Sequence, residues 1–400
     1  MRKKKTMDET NKKSTKEIGC VIAYSVGHNN YGTSLQGYAM LKKIQQLGYE
    51  VEVIQYTKRL SVWQKMMFVV NALRAGEWKN IKHRLTSKQM LKKYPAYAAG
   101  IAERTKAVDA YKQKKLIPLF HEYIGYDALC RGSLNYDAVV VGSDQVWTPM
   151  SLPNKFFNLL FVDDRVRKVA YASSFGVSEI PSFQRKATGA YLNRFYKIGV
   201  REQRGKEIVE ELSHQKATVV VDPTMLLSRK EWEVEITNIS LNENEPYIFC
   251  YFLGTNQEAR RAANELKQKT GYKIVTIRHM DEYVPEDENF GDEAPYNVNP
   301  NDFVKYISEA AYVCTDSFHC TVFSILFHRQ FMTFYRFAEG SKTERNSRIN
   351  SLFGLFGLQE RLYQMNIDRI TNLIDYNAVD EKLAALRKDS IAFLDGCLRP

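Results

Sequence analysis

The sequence predicts an α/β protein of two doubly wound lobes, and three observations carry that expectation. Short apolar runs alternate with amphipathic stretches of helical period, first from Ile18 to about Thr224 and again from Pro246 onward. A polar break, EITNISLNENE, separates the two series. The length, 400 residues, exceeds what one small core organises.

The elements follow in order. IGCVIAYS (Ile18 to Ser25) reads as a buried strand, VGHNNYGTS as a Gly/Asn loop, LQGYAMLKKIQQLG as a helix closed by Gly48, and YEVEVIQY as the next strand. A helical connection of this size implies parallel pairing. From Ser61 to about Tyr123 apolar residues recur at helical spacing among many Lys and Arg, which predicts a helical insertion. Tyr136–Ser143, Arg167–Ser174, Tyr196–Glu202 and Ala217–Thr224 are expected strands, all but the last in the first lobe. The second series runs through PYIFCYFLG, NQEARRAANELKQKTG, YKIVTIRH, PNDFVKYISEA and AYVCTDS. The expected organisation is a disordered basic tail over 1–16, a first lobe over 17–220 with its insertion at about 61–123, a second lobe over 221–375, and a C-terminal helix over 376–400.

Composition narrows the function classes. With 44% hydrophobic and 26% charged residues the chain can bury a core, and no segment approaches the ~18–20 uninterrupted apolar residues of a membrane span. The start, MRKKKTMDETNKKSTKEIG, is basic but lacks an apolar signal core, so a cytoplasmic location is expected. Cys20, Cys130, Cys250, Cys314, Cys320 and Cys397 form no CxxC pair and no zinc spacing, and are expected to be reduced thiols. Much of the net charge of +11 lies in the tail and between residues 58 and 115. Such a surface suits nucleic acid, anionic lipid or an anionic substrate, although a solvated helical face is the commoner reason for a charge run.

In open α/β sheets ligands bind beyond the carboxyl ends of the strands, so polar residues just after apolar runs are the first candidates. Asp316, Ser317 and His319 follow AYVC and precede CTVFSILF, a stretch able to begin a helix whose N-terminus favours an anion. Ser143, Asp144 and Gln145 follow VVVG in the same way. Arg201 and Glu202 emerge from the apolar run IGV, where a charge is costly without a partner, so Arg201 calls for an internal carboxylate or a substrate anion. Asn30 and Gly32 lie in a Gly-containing loop that only loosely matches a phosphate cradle and has neither Walker spacing nor GxGxxG. Further on, Arg336, Arg345 and Arg348 offer more cations. Arginines for anionic groups, a histidine to pass a proton and carboxylates to accept one suit transfer from a phosphorylated donor.

In order, NNYGTSLQGYAMLKKI, VVVGSDQVW, YASSFG, IGVREQRGKEI, VVDPTMLL, YIFCYFLG and TDSFHCTVFSILF resemble the polysaccharide pyruvyl transferase family over about residues 18 to 358. The resemblance implies two Rossmann-like lobes in a GT-B-like arrangement and transfer of pyruvate from phosphoenolpyruvate, as a ketal, to a sugar of a cell-surface glycan or its lipid-linked precursor. It further implies His319 as general acid and Asp144 or Asp316 as base or sugar ligand. Arg201, with Arg336 or Arg345, would hold the donor, and Ser143, Gln145, Ser317, Asn30 and Gly32 would line the substrate site. Neither cofactor nor metal is expected, nor a nucleic-acid partner; peripheral contact with an anionic membrane face would give the basic insertion a use. A glycosyltransferase using a nucleotide sugar is the alternative on the same scaffold, and a non-catalytic glycan- or membrane-binding protein a third.

Overall fold

A computed structural model describes residues 17–24, 30–57, 66, 93–241, 245–279, 283–336 and 346–399. The expected tail, most of the basic stretch before residue 93, and Arg345 lie outside those residues.

The first lobe is a seven-stranded parallel sheet. Strand β1 (Glu17–Val21) leads to helix α1 (Tyr31–Gln46) and returns as β2 (Glu50–Thr57). Helix α2 (Pro95–Lys115), β3 (Phe120–Ile124), α3 (Tyr126–Gly132) and β4 (Ala138–Val141) follow. Then come β5 (Arg167–Ser173), α4 (Ser182–Leu192), β6 (Lys197–Val200), α5 (Gln203–Leu212) and β7 (Ala217–Val219). The order β3-β2-β1-β4-β5-β6-β7 reverses between β1 and β4, which opens a crevice at their carboxyl ends. Four consecutive buried residues make up β4, as a strand covered on both faces requires.

Short helices α6 (Pro223–Leu226) and α7 (Arg229–Ile236) lead to the second lobe. It comprises β8 (Tyr247–Tyr251), α8 (Gln257–Thr270), β9 (Lys273–Thr276), α9 (Pro300–Glu309), β10 (Tyr312–Thr315), α10 (Phe318–Leu326) and β11 (Gln330–Thr333). Helices α11 (Ser347–Phe356) and α12 (Tyr376–Leu398) complete the chain. The sheet is parallel in the order β11-β10-β8-β9, so its switch point lies between β10 and β8. The chain is thus an α/β protein of two Rossmann-like lobes.

Two local expectations are corrected, and one strand had no counterpart among them. Residues 120–124, inside the expected helical insertion, form β3 beside β2; only Tyr123 in FHEYI is buried, so this edge strand carries little apolar signal. Residues 217–219 pair with β6 as the edge of the first sheet rather than leaving it. QFMT, at the end of an apolar stretch without alternation, is the edge strand β11.

One apolar core joins the lobes, running from Leu35 of α1 through Trp232 of α7 to Phe303 and Phe323 of the second lobe. Tyr31 stacks on Phe303 with ring centroids 4.8 Å apart, and Trp232 meets Phe323 edge-on at 5.0 Å. Helix α12 crosses back over the seam. Ser390 Oγ accepts from the Val221 amide at 3.1 Å, while Asp380 meets His328 of the second lobe at 3.0 Å. Asp222, beyond β7, and His319, beyond β10, meet across this seam at 3.6 Å. All six cysteines are free thiols. Among the described residues no helix is long and apolar enough to cross a membrane.

Candidate active site

The strand ends of the first lobe deliver four charged side chains. Beyond β4 the chain passes through Gly142 (φ 142°) and Ser143 to Asp144, which sits at φ 77°. At Gly142 a Cβ would lie 1.9 Å from the Tyr171 carbonyl oxygen, so only glycine fits. Beyond β6 come Arg201 and Glu202, and beyond β7 comes Asp222. Asp222 caps α6: its Oδ1 accepts from the Thr224 amide at 3.0 Å and from the Thr224 hydroxyl at 2.7 Å.

Its other oxygen, Oδ2, accepts from Arg201 Nη1 at 2.8 Å, and Arg201 Nη2 reaches Asp144 Oδ1 at 3.3 Å. Burial opposes the Arg201 charge, yet Asp222 and Asp144 together hold its pKa above the ordinary arginine value. Burial likewise works against the Asp222 carboxylate, but His319 and Arg201 hold it well below the usual aspartate range. Asp144 is lowered too, against burial, by Arg201, His319 and Arg348.

The second lobe contributes His319 from the first turn of α10, and Nε2 lies 3.6 Å from Asp222 Oδ2. The opposite side of the imidazole presses on α1, where a Cβ built on Gly32 would fall 2.1 Å from Nδ1. Gly32→Ala is therefore expected to push the ring out of place, with an overpacking cost of ~1–3 kcal/mol. Turnover should fall by up to ~10²-fold through the misplaced group, more than donor affinity does, as steady-state kinetics beside donor titration would register.

Phe318 lies between two cations, with the guanidinium carbon of Arg201 4.5 Å and that of Arg348 5.7 Å from its ring centroid. Gln145, with its carbonyl turned toward Arg348, accepts from Nη2 at 3.0 Å and Nε at 3.3 Å. Burial, then the charge of Arg201, push the Arg348 guanidinium down to about 9, with Arg336 adding to the repulsion. Asp144 and Glu202 oppose that fall, and Asp144 Oδ1 stands 4.0 Å from Arg348 Nη1. Arg201 Nε, Glu202 Oε2 and His319 Nε2 are buried without a hydrogen-bond partner among the described residues.

Several expected site residues have other tasks. Asn30 caps α1, accepting from the Thr33 amide at 3.2 Å, and Gly32 belongs to the first helical turn rather than to a loop. Ser317 caps α10, accepting from the Cys320 amide at 3.4 Å. The Ser143 hydroxyl donates to the Ala172 carbonyl at 3.2 Å. Asp316 accepts from the amides of Leu253 and Gly254 at 2.6 and 2.8 Å, tying β10 to β8 at the second switch point. Arg336 lies beside it, with Nε 3.8 Å from Asp316 Oδ2. The carboxylates differ in access: the Asp144 side chain is 18% exposed, whereas Asp222 and Asp316 are each 1% exposed.

A family model described as polysaccharide pyruvyl transferase matches residues 30–336, from the cap of α1 to Arg336. The chain belongs to the polysaccharide pyruvyl transferase family. Comparison with curated proteins gives no match. Among solved structures this pyruvyl transferase family member is similar to UDP-GlcNAc 2-epimerase from Neisseria meningitidis, at 10% identity and a TM-score of 0.44, covering 94% of this chain and 100% of the other. It is also similar to E. coli ADP-heptose lps heptosyltransferase II (10% identity, TM-score 0.35, 94% and 99% covered). A third is the glycosyltransferase SnogD from Streptomyces nogalater (10% identity, TM-score 0.42, 94% and 95% covered).

Sequence reasoning assigned no role to Asp222 and named Arg348 only among further cations. The signal for Asp222 was present: VVVDPT places an N-cap aspartate and an N1 proline at a strand's carboxyl end. Arg348 had no such marker, because α11 brings it in from outside both sheets.

Proposed function

We propose that this transferase moves pyruvate from phosphoenolpyruvate to two hydroxyls of one glycan sugar, at the junction of the two switch points. The observation that carries this reading is the convergence of Arg201 and Arg348 on Phe318 and Asp144, next to His319, with Arg336 against Asp316. Phosphoenolpyruvate holds a phosphate and a carboxylate on one small enol. Forked guanidinium groups pair with both.

In the proposed reaction His319 delivers a proton to the methylene carbon of the enol, leaving the adjacent carbon electron-poor. A sugar hydroxyl attacks that carbon and forms the first C–O bond. The bond to phosphate oxygen then breaks, and a second hydroxyl of the same sugar forms the second C–O bond. Of the two hydroxyl protons, one replaces the proton now on the methyl group and the other leaves with phosphate, so no oxidant or reductant is needed. Asp222 stabilises the charged imidazolium through Oδ2. Asp144 is the carboxylate accessible to a hydroxyl, and its depressed pKa makes it an orienting acceptor more than a strong base. We read Asp316 as a structural clamp, since backbone amides occupy both of its oxygens.

Glu202 adds a pH dependence. Burial raises its carboxyl, with Arg201 opposing, and Oε1 accepts from the Ser174 hydroxyl at 2.6 Å. Its folded pKa exceeds its unfolded value of 4.5, so the stability it contributes is present below 4.5 and is lost as pH rises through the folded pKa. The ionised form also adds a negative charge beside the donor cradle. Glu202→Gln is therefore expected to melt higher than wild type at pH 8, with a gap that closes on acidification, and to flatten the rise of donor Kd with pH.

The direct assay is phosphate release from phosphoenolpyruvate with extracted lipid-linked glycans as acceptor. Release that requires acceptor supports the reading. Consumption of a nucleotide sugar without phosphoenolpyruvate turnover would replace it with the glycosyltransferase alternative.

A further inference from the structure

A second site lies on the same carboxyl-end face of the second sheet. A cavity of about 300 Å³ is bounded by Lys93, Tyr94, Tyr97, Arg278, Tyr283 and Tyr296. Arg278 follows β9, which stands next but one to β10 in the sheet. At ~4.8 Å between strands, the cavity is offset laterally by about 10 Å from the strand that leads to His319. That distance spans about two sugar units, so the cavity is placed to take a unit of the acceptor other than the one being modified.

The walls come from both lobes and are held rigidly. Arg104 of α2 is buried and donates to the carbonyls of Arg278 at 2.6 Å, Pro295 at 3.0 Å and Tyr296 at 3.3 Å, which fastens the insertion helix to the second lobe. A Cβ built on Gly100 would lie 2.6 Å from the Tyr296 ring, so α2 and this tyrosine are in direct contact. Tyr94 stacks on Tyr283 at 4.2 Å and 15°, and Tyr97 meets Tyr283 edge-on at 5.3 Å.

The chemistry of the walls selects a ligand. The closed Tyr94–Tyr283 stack is a platform, with no slot between two rings for a flat base. The nearby carboxylates are already engaged: Asp287 pairs with Arg260 at 2.7 Å, and Glu288 accepts from the Tyr283 hydroxyl. Arg278 donates from Nη2 to the Glu288 carbonyl at 3.0 Å, and its Nε is buried without a hydrogen-bond partner among the described residues. Aromatic faces beside the cations Lys93 and Arg278 match a pyranose, whose C–H face is apolar and whose rim carries hydroxyl acceptors. The geometry points to this cavity as the subsite for a pyranose unit of the acceptor glycan, a conclusion that rests on the pyruvyl-transfer reading of the neighbouring centre. The insertion is then a specificity element: α2 and the residues just before it supply Lys93, Tyr94 and Tyr97 to the walls that the acceptor meets.

The test uses methyl glycosides of glucose, galactose and N-acetylglucosamine as probes, followed by saturation-transfer NMR on the full chain. At least one should bind, weakened about tenfold or more in Tyr283→Ala by loss of the aromatic contact and unaffected in His319→Ala. Tyr283→Phe should retain it, and Arg278→Gln gives an independent reading should Tyr283→Ala fail to fold. Binding that survives both cavity variants but is lost in His319→Ala overturns the proposal, as does uridine displacing the glycoside or no glycoside binding at all. Calorimetry with phosphoenolpyruvate separates the two levels. Donor binding with cavity-independent glycosides removes the subsite alone, whereas cavity-dependent glycosides without donor binding remove the reading of the catalytic centre and leave a sugar site.

Discussion

His319→Ala lowers turnover by ~10²–10⁴-fold, the range over which a positioned acid or base contributes, while phosphoenolpyruvate still binds. The expectation follows from how little else the imidazole does. Its Nε2 makes no hydrogen bond among the described residues, and Asp222 Oδ2 stands 3.6 Å away, long for a hydrogen bond. Ser317 caps α10 without help from the ring, so the helix start survives the substitution. His319→Gln, closer in size and unable to carry a proton at neutral pH, should be equally slow. Single-turnover rates beside donor calorimetry would separate chemistry from binding, and a variant with near-normal turnover would remove His319 from the proton path.

Arg201→Met carries the largest expected cost in stability, about 3–5 kcal/mol, because it leaves Asp222 and Asp144 without their common cation. The sign of its pH dependence follows from Asp222. That carboxyl is depressed in the folded wild type, so its stabilising contribution is present above its unfolded value near 3.8 and is lost as pH falls through the folded value. In the variant Asp222 takes up a proton at a higher pH, which relieves the uncompensated charge. The stability gap between wild type and variant should therefore be widest at neutral pH and above, and should narrow on acidification. Urea titrations at pH 8 and pH 4 would measure it. Arg201→Lys tests geometry separately from charge: it should recover part of the stability but little donor affinity, since an ammonium cannot bridge Asp222, Asp144 and a bound anion as a fork does.

Much of the fold was legible because its strands are the kind that sequence shows best. AVVV, KIGV and YIFCY are apolar on both faces, as fully covered parallel strands must be, and the carboxyl-end rule then pointed to Asp144, Arg201 and His319. Two of the four edge strands, β3 and β11, were not legible. FHEYI and QFMT have one neighbour each and mixed polarity, so their identity is set by the sheets they complete. The site was legible in part for a related reason. A residue that follows a strand inherits its position from that strand, but what its side chain bonds to depends on partners far away in sequence. Asp316 and Asp222 both follow strands, yet the first spends its oxygens on the β8 loop and the second on Arg201 and Thr224. Arg348 reaches Asp144 and Gln145 from a helix beyond both sheets, a meeting that no local pattern announces.

The central claim is that the arginines around His319 form a cradle for a small dianionic enol phosphate, and calorimetric titration of phosphoenolpyruvate against UDP-N-acetylglucosamine tests it most directly. The account predicts that wild type binds phosphoenolpyruvate with an affinity that falls as salt rises, that inorganic phosphate competes, and that Arg201→Lys abolishes the heat. Binding of the nucleotide sugar with no heat from phosphoenolpyruvate would contradict it.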